Sequence, residues 1–108
     1  MSTPICDVDR DGAVVRVTGE VDFAAKAVLQ DALADAAASS SDIVVDMRGT
    51  TFVDSTAVSV LIASRHAADI RQGTLTILAS NPVRRVLSIL GLGEFLGVGD
   101  VSEASDTT

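Results

Sequence analysis

The sequence predicts an α/β domain: a mixed, mostly parallel sheet that opens with a β-hairpin and is covered by about three to four helices. Three observations predict it. Short runs rich in Val, Ile and Leu recur between Ala-rich or amphipathic stretches, the alternation produced by parallel strands joined through crossover helices. Only 3% of the residues are aromatic while 47% are hydrophobic, so the interior is built from small and branched aliphatics, which suits a buried sheet. The length, 108 residues, is that of one domain, and a single domain over 1–108 is expected, with 1–4 and 101–108 frayed.

Each element follows from local pattern. From Ile5 to Val17 two antiparallel strands are expected, split at Asp9-Arg10-Asp11-Gly12, whose glycine accepts the positive φ of a hairpin turn. Val15, Val17 and Val21 share one parity, and the alternation stops at Gly19-Glu20-Val21-Asp22. Phe23 to Ala38 has high helix propensity with Asp22 as its N-cap; Phe23, Ala27, Leu33 and Ala37, with Val28 and Leu29 nearby, form its apolar stripe, and Lys26, Gln30, Asp31 and Asp35 face water. Ser39-Ser40-Ser41 breaks this helix, Asp42 to Asp46 reads as a short buried parallel strand, and Met47 to Val53 as a loop.

Asp54-Ser55-Thr56 is a concentrated N-cap signal ahead of the apolar run Ala57 to Ala63, so a second helix starts near Ser55 and ends near Gln72-Gly73. Its first half is expected to be buried and its second half, with Arg65, His66, Asp69 and Arg71, solvated. Thr74 to Ala79 is a further strand, Asn81-Pro82 opens a third helix with Pro in its first turn, and Gly91 stops it. Leu92 to Gly99 leaves room for one more short strand. Right-handed crossovers place the second hairpin strand, Ile43–Val45 and Thr74–Ala79 parallel to one another.

Composition narrows the function. Fifteen acidic against eight basic groups leave a net charge of −7, so nothing grips phosphate backbones or anionic lipid, and neither nucleic acid nor a membrane surface is expected as a partner. Cys6 alone forms no internal disulfide, and with a single histidine there is no Cys/His cluster for structural zinc; Cys6 is read as a small apolar filler. The N-terminus lacks a signal-peptide layout and no apolar run approaches the ~18 residues of a spanning helix, so a cytoplasmic location is expected.

Several motifs dissolve on inspection. Asp7, Asp9, Asp11 and Gly12 match the first half of a calcium loop, but the twelfth loop position is Thr18 where a bidentate Glu is required, and the flanks read as strands. No phosphate-cradling glycine loop is present. His66 and Ser55 sit eleven residues apart on one helix, roughly 16 Å along its axis, so they form no Ser-His-Asp hydrolase.

What remains is Asp54-Ser55-Thr56 at a helix start and Gly19-Glu20-Val21-Asp22 at a strand end. Capping alone accounts for Asp, Ser and Thr at such positions. Two further features point to a site: the helix that follows opens with small and apolar residues, Ala57, Val58, Ser59 and Val60, and both acidic motifs end strands of one parallel sheet, whose carboxyl edge is where sites assemble.

Hairpin, Gly19-Glu20-Val21-Asp22, Ala-rich helix, strand, Phe52-Val53-Asp54-Ser55-Thr56-Ala57-Val58, strand and Asn81-Pro82-Val83-Arg84-Arg85-Val86-Leu87 together resemble the STAS domain of anti-sigma-factor antagonists over about residues 5 to 100. Ser88-Ile89-Leu90-Gly91-Leu92 resembles the family as well. The resemblance implies a STAS fold and phosphorylation of Ser55 by a kinase that is itself the anti-sigma factor. It also implies that Asp22 and Asp54 orient the hydroxyl and contact the partner, with Thr56, Ala57 and Ser59 on the same surface. A helix N-terminus holds a phosphate through free amides and partial positive charge, so no basic side chain is needed.

The implied protein is a regulator and not an enzyme. It binds an anti-sigma factor of the serine-kinase type when unmodified, which frees a sigma factor, for example in a stress response, and a phosphatase restores it. The kinase brings ATP and Mg²⁺, so no cofactor or metal is expected on this chain, which is read as a monomer or weak dimer. Two departures stand out: Ala57-Val58 replaces the family's usual Gly-Leu, and Asp100 to Thr108 offers only Val101 and Ala104 as apolar residues for the family's last helix. One rival is a STAS subunit of another assembly, a lipid-transport complex or a stress-signalling scaffold, without kinase control. The other is a phosphoryl carrier using Asp46 or Asp54, disfavoured because no acidic triad with a positioned lysine is visible; Lys26, the sole lysine, sits mid-helix.

Overall fold

The computed structural model describes residues 6–93, 96 and 98–99. Along the chain lie β1 (Cys6–Asp11), β2 (Val14–Val21), a 3-10 turn (Phe23–Ala25), α1 (Lys26–Ser39), β3 (Asp42–Val53), α2 (Ser55–Ile70), β4 (Thr74–Ala79), α3 (Asn81–Ile89) and β5 (Val98–Gly99). The sheet order is β1-β2-β3-β4-β5; β1 and β2 are antiparallel and every later pairing is parallel. This is the expected α/β architecture, a mixed and mostly parallel sheet opened by a hairpin and covered by three helices.

The hairpin turn is tighter than expected. Asp9, Arg10 and Asp11 pair with Arg16, Val15 and Val14, which leaves only Gly12 and Ala13 in the loop, with Gly12 at φ 62°. The calcium-loop match is thereby a strand, in which Asp7, Asp9 and Asp11 share one exposed face.

The expected loop from Met47 to Val53 is the second half of β3. Apolar alternation fails there because β2 breaks register at Arg16/Thr18 and again at Gly19/Glu20, so β3 follows a bulged neighbour and its own pattern loses period two. Thr50 is buried in this stretch, and its hydroxyl donates to the Val17 carbonyl at 2.9 Å. The consequence is positional: the extended β3 runs alongside β2 as far as Val21↔Val53, and both strands deliver the chain to one edge.

Odd-numbered residues of three strands form the floor of the core: Val15, Val17 and Val21, Ile43, Val45 and Met47, Leu75 and Ile77. From α1 come Leu29, Leu33 and Ala36, with Ala25 ahead of the helix; from α2 come Ala57, Val58, Val60, Leu61 and Ala68. This corrects the expected α1 stripe. Phe23 and Val28 are exposed and Ala27 lies outside the core, because residues 23–25 wind as a 3-10 turn and shift the phase of the helix that follows. Lys26, Gln30, Asp31 and Asp35 are exposed as expected. Val83 and Leu87 anchor α3, which starts behind a Ser80 cap with Pro82 in the first turn and ends before Gly91.

At the end of α2 the left-handed residue is Gln72, at φ 60°, and not the glycine beside it. Gly73 is required for space: a Cβ there would lie 1.8 Å from the Ser41 carbonyl oxygen. Cys6 is half-buried on β1 against the core, where burial, with Asp22 and Asp7 adding to it, pushes its thiol pKa up and keeps it protonated, consistent with a filler. The short strand expected within Leu92 to Gly99 is the two-residue β5. The frayed ends, 1–4 and 101–108, and the missing last helix fall outside the described residues.

Candidate functional site at the carboxyl edge of β2 and β3

Strands β2 and β3 are parallel, so their carboxyl ends meet. Val21 aligns with Val53, and the Asp54 amide donates to the Val21 carbonyl at 3.1 Å. Asp22 and Asp54, the two residues that leave those strands, are thus brought together by backbone pairing. Each then caps a helical turn: Asp22 Oδ1 accepts from the Ala24 amide at 3.0 Å, and Asp54 Oδ1 accepts from the Ala57 amide at 3.0 Å.

Because Asp54 satisfies the start of α2, the next residue has no structural duty. Ser55 is exposed at the first position of α2, and its hydroxyl makes no hydrogen bond among the described residues. Thr56 is half-buried and Ser59 exposed, its hydroxyl donating to the Ser55 carbonyl one turn back at 2.9 Å. Ala57 is only 1% exposed, so its side chain belongs to the core and offers a partner no surface; its part in the site is the amide held by Asp54.

Sequence reasoning missed two members of this edge. Phe23, 71% exposed, directly follows Asp22, and Phe52, 49% exposed, stands opposite Glu20 two residues before Asp54. Large apolar side chains are taken for core by default, and only the 3-10 turn and the register shift turn these two outward. An acidic, hydroxyl-bearing rim with two exposed aromatic rings has the make-up of a protein-docking surface.

Asp46 is a different kind of carboxylate. It is 5% exposed in mid-β3 and accepts both forks of Arg48, at 2.9 Å from Nε and 2.9 Å from Nη2, with the Arg48 amide at 3.2 Å and Arg16 Nε at 3.5 Å. The Arg48 side chain chiefly holds its pKa down, to about 2. Seven further strand residues separate it from the edge, so it is a buried ion-pair anchor and no exposed phosphoryl acceptor. His66 is exposed on α2, far from Ser55. Among the described residues no His, Cys, Asp or Glu side chains converge as metal ligands, and no helix is long and apolar enough to cross a membrane.

The domain family described as "Mlab, STAS domain" matches residues 6–98. The chain belongs to the STAS-domain family. Its STAS fold is shared with an anti-sigma factor antagonist from Mycobacterium paratuberculosis, 25% identical, with a TM-score of 0.76 over 99% of this chain and 97% of that one. The anti-sigma factor antagonist SpoIIAA in its unphosphorylated form is 18% identical, with a TM-score of 0.66 over 94% of this chain and 96% of that one. The Bacillus cell fate determinant SpoIIAA in the phosphorylated form is 20% identical, with a TM-score of 0.64 over 94% and 97%. These two at lower identity share the fold. A search of curated proteins gives no significant match.

Proposed function

We propose that this STAS domain is an anti-sigma factor antagonist whose binding is switched off by phosphorylation of Ser55. The observation that carries the reading is the division of labour at the start of α2, where Asp54 does the capping and leaves the Ser55 hydroxyl exposed and uncommitted. The likeness to anti-sigma factor antagonists supports the class of partner. A serine-kinase anti-sigma factor docks on the edge formed by Asp22, Asp54, Thr56 and Ser59, with Phe23 and Phe52 as apolar anchors; it supplies the ATP and Mg²⁺, and a phosphatase reverses the modification. While unmodified, the domain competes with a sigma factor for that partner, acting in the cytoplasm as a monomer or weak dimer and performing no chemistry of its own.

Phosphorylation reverses binding by charge. A phosphate near −2 facing one carboxylate supplied by the docked partner at about 6 Å experiences roughly 5 kcal/mol of repulsion at an effective dielectric of 20, before salt screening, against about 1 kcal/mol that the helix start returns. The test incubates the domain with a serine-kinase anti-sigma factor and ATP, locates the phosphate by mass spectrometry, and compares the affinities of modified and unmodified protein by calorimetry. Phosphate on Ser55 with weakened binding is expected. Equal affinities sink the switch, and tight binding with no phosphate incorporated favours the rival, a STAS subunit docked without kinase control.

A further inference from the structure

The sheet has a free side. β1 is its outer strand, and among the described residues no strand other than β2 pairs with it. All six residues of β1 pair with β2 in one unbroken register, so no bulge turns this edge away from a further strand. The two-residue loop at Gly12-Ala13 makes Asp11 and Val14 a hydrogen-bonded pair, and the antiparallel alternation then commits the main chain of Asp9 and Asp7 to β2 as well. Cys6, Val8 and Arg10 therefore point their N–H and C=O groups outward.

The side chains along this edge are sorted by face. Asp7, Asp9 and Asp11 are exposed on one face, while Cys6 and Val8 pack against the core on the other, where α1 lies over β1. Next to Asp9 across the sheet stands Arg16, and next to Arg16 stands Asp46. Charge alternates along that row, and Arg16 is drawn inward, its Nε 3.5 Å from Asp46. Asp7 and Asp11 face Thr18 and Val14, which carry no charge. A cation on a strand added outside β1 would continue the alternation beside Asp9 and give Asp7 and Asp11 a neighbour of opposite sign. A second copy is refused by the same row, because two β1 edges paired antiparallel set aspartate against aspartate.

We infer that the outer edge of β1 receives an extended segment of a basic protein partner, with Lys or Arg at alternate positions beside Asp7, Asp9 and Asp11 and apolar residues between them. The main-chain groups of Cys6, Val8 and Arg10 supply the hydrogen bonds, and the aspartates select the sign of the segment. In an antiparallel addition the apolar residues stand opposite Val8 in hydrogen-bonded pairs. The basic residues then stand opposite the aspartates in the other kind of pair, where side chains approach most closely. The site shares no residue with the proposed switch and does not depend on it.

Three capped peptides titrated into the isotopically labelled domain at low salt form the test: Lys alternating with Val, Glu alternating with Val, and the Lys peptide methylated on its valine nitrogens, which keeps the charge and removes the donors that face β1. The Lys peptide is expected to shift the β1 amides saturably and to slow hydrogen exchange at Val8 and Arg10. Its methylated form should bind at least about tenfold more weakly, and the Glu peptide should not saturate. The triple variant Asp7→Asn, Asp9→Asn, Asp11→Asn should weaken the Lys peptide about tenfold. Asp31→Asn with Asp35→Asn, which lowers the charge on the exposed side of α1, should leave its affinity within about twofold. All three β1 aspartates are exposed, so the triple variant should keep its melting temperature; if it unfolds, Asp9→Asn alone, with about threefold weakening, takes its place. Equal affinity of the Lys peptide and its methylated form, unchanged exchange at Val8 and Arg10, or equal losses in the β1 and α1 variants would overturn the inference. So would a Lys peptide that fails to saturate, which would leave the aspartates as guards of the edge, or a domain that dimerises through β1 unaided.

Discussion

Two neighbouring residues at the start of α2 divide structure from signalling, and their variants should separate accordingly. Asp54→Ala removes the side chain that accepts from the Ala57 amide, so it should cost about 1 kcal/mol of stability. Ser55→Ala removes an exposed hydroxyl without a partner and should leave the melting temperature unchanged, while yielding a domain that binds its anti-sigma factor constitutively. Thermal unfolding followed by circular dichroism checks the first pair of statements, and calorimetric binding after treatment with kinase and ATP checks the last; a Ser55→Ala domain that folds but no longer binds would make the hydroxyl a contact and not a switch. Asp46 yields a pH prediction. Its pKa, about 2 in the folded state against 3.8 ordinarily, means that its contribution is fully present above pH 4 and is lost as the pH falls toward 2. Both arginines that hold it are half exposed, which limits the contribution to about 1–2 kcal/mol. The stability gap between wild type and Asp46→Asn should therefore be open at pH 6 and nearly closed at pH 2; a gap that widens with acid would assign the carboxylate the opposite role.

The elements were legible in the sequence wherever one period ruled. Thr74–Ala79 alternates cleanly and pairs with β3 without a break, so its bounds could be read directly. The second half of β3 was hidden because two register shifts in β2 scramble its parity, and α1 was read in the wrong phase because a 3-10 turn precedes it. The candidate site divides in the same way. Asp22, Asp54 and Ser55 stand out as capping chemistry and as a paired motif, whereas the exposure of Phe23 and Phe52 depends on tertiary placement that no local pattern encodes. The end of α2 illustrates the limit. Gln72-Gly73 reads as a glycine stop, yet the glycine is selected by the nearness of the Ser41 carbonyl, and the strained residue is Gln72. Gly73→Ala should thus destabilise by about 2–3 kcal/mol, since backbone must move to admit a methyl group. Gln72→Gly should stabilise by about 1 kcal/mol by relieving the left-handed conformation. Urea unfolding of both variants gives the comparison; an unperturbed Gly73→Ala would mean that the α2–β4 connection has slack.

At the scale of the whole molecule the dominant fact is charge. Seven arginines and one lysine stand against fifteen carboxylates, a net charge of −7; the fold, with a radius of gyration of 13.1 Å, carries all eight basic groups and eleven of those carboxylates among the described residues. That radius is close to the Debye length of about 10 Å at 0.1 M salt, so at low ionic strength the surface charges feel one another across the domain. Among the described residues, Arg65 pairs with Asp69 one helical turn away on the surface, worth a few tenths of a kcal/mol. The Asp46 cluster is the exception, and its buried carboxylate is screened least. The carboxylate excess sets the sign of the net field, so salt should stabilise the fold. Raising sodium chloride from about 20 mM to about 0.5 M at pH 7 shortens the Debye length to below the spacing of most charge pairs and should lift the melting temperature by a few degrees. With neither Trp nor Tyr in the chain, circular dichroism is the natural probe. The Ser55-phosphorylated domain, carrying nearly two further charges, should start from a lower melting temperature and show the steeper rise. A melting temperature that falls with salt would mean that the arginine pairs, and not the carboxylate excess, govern the surface of this protein.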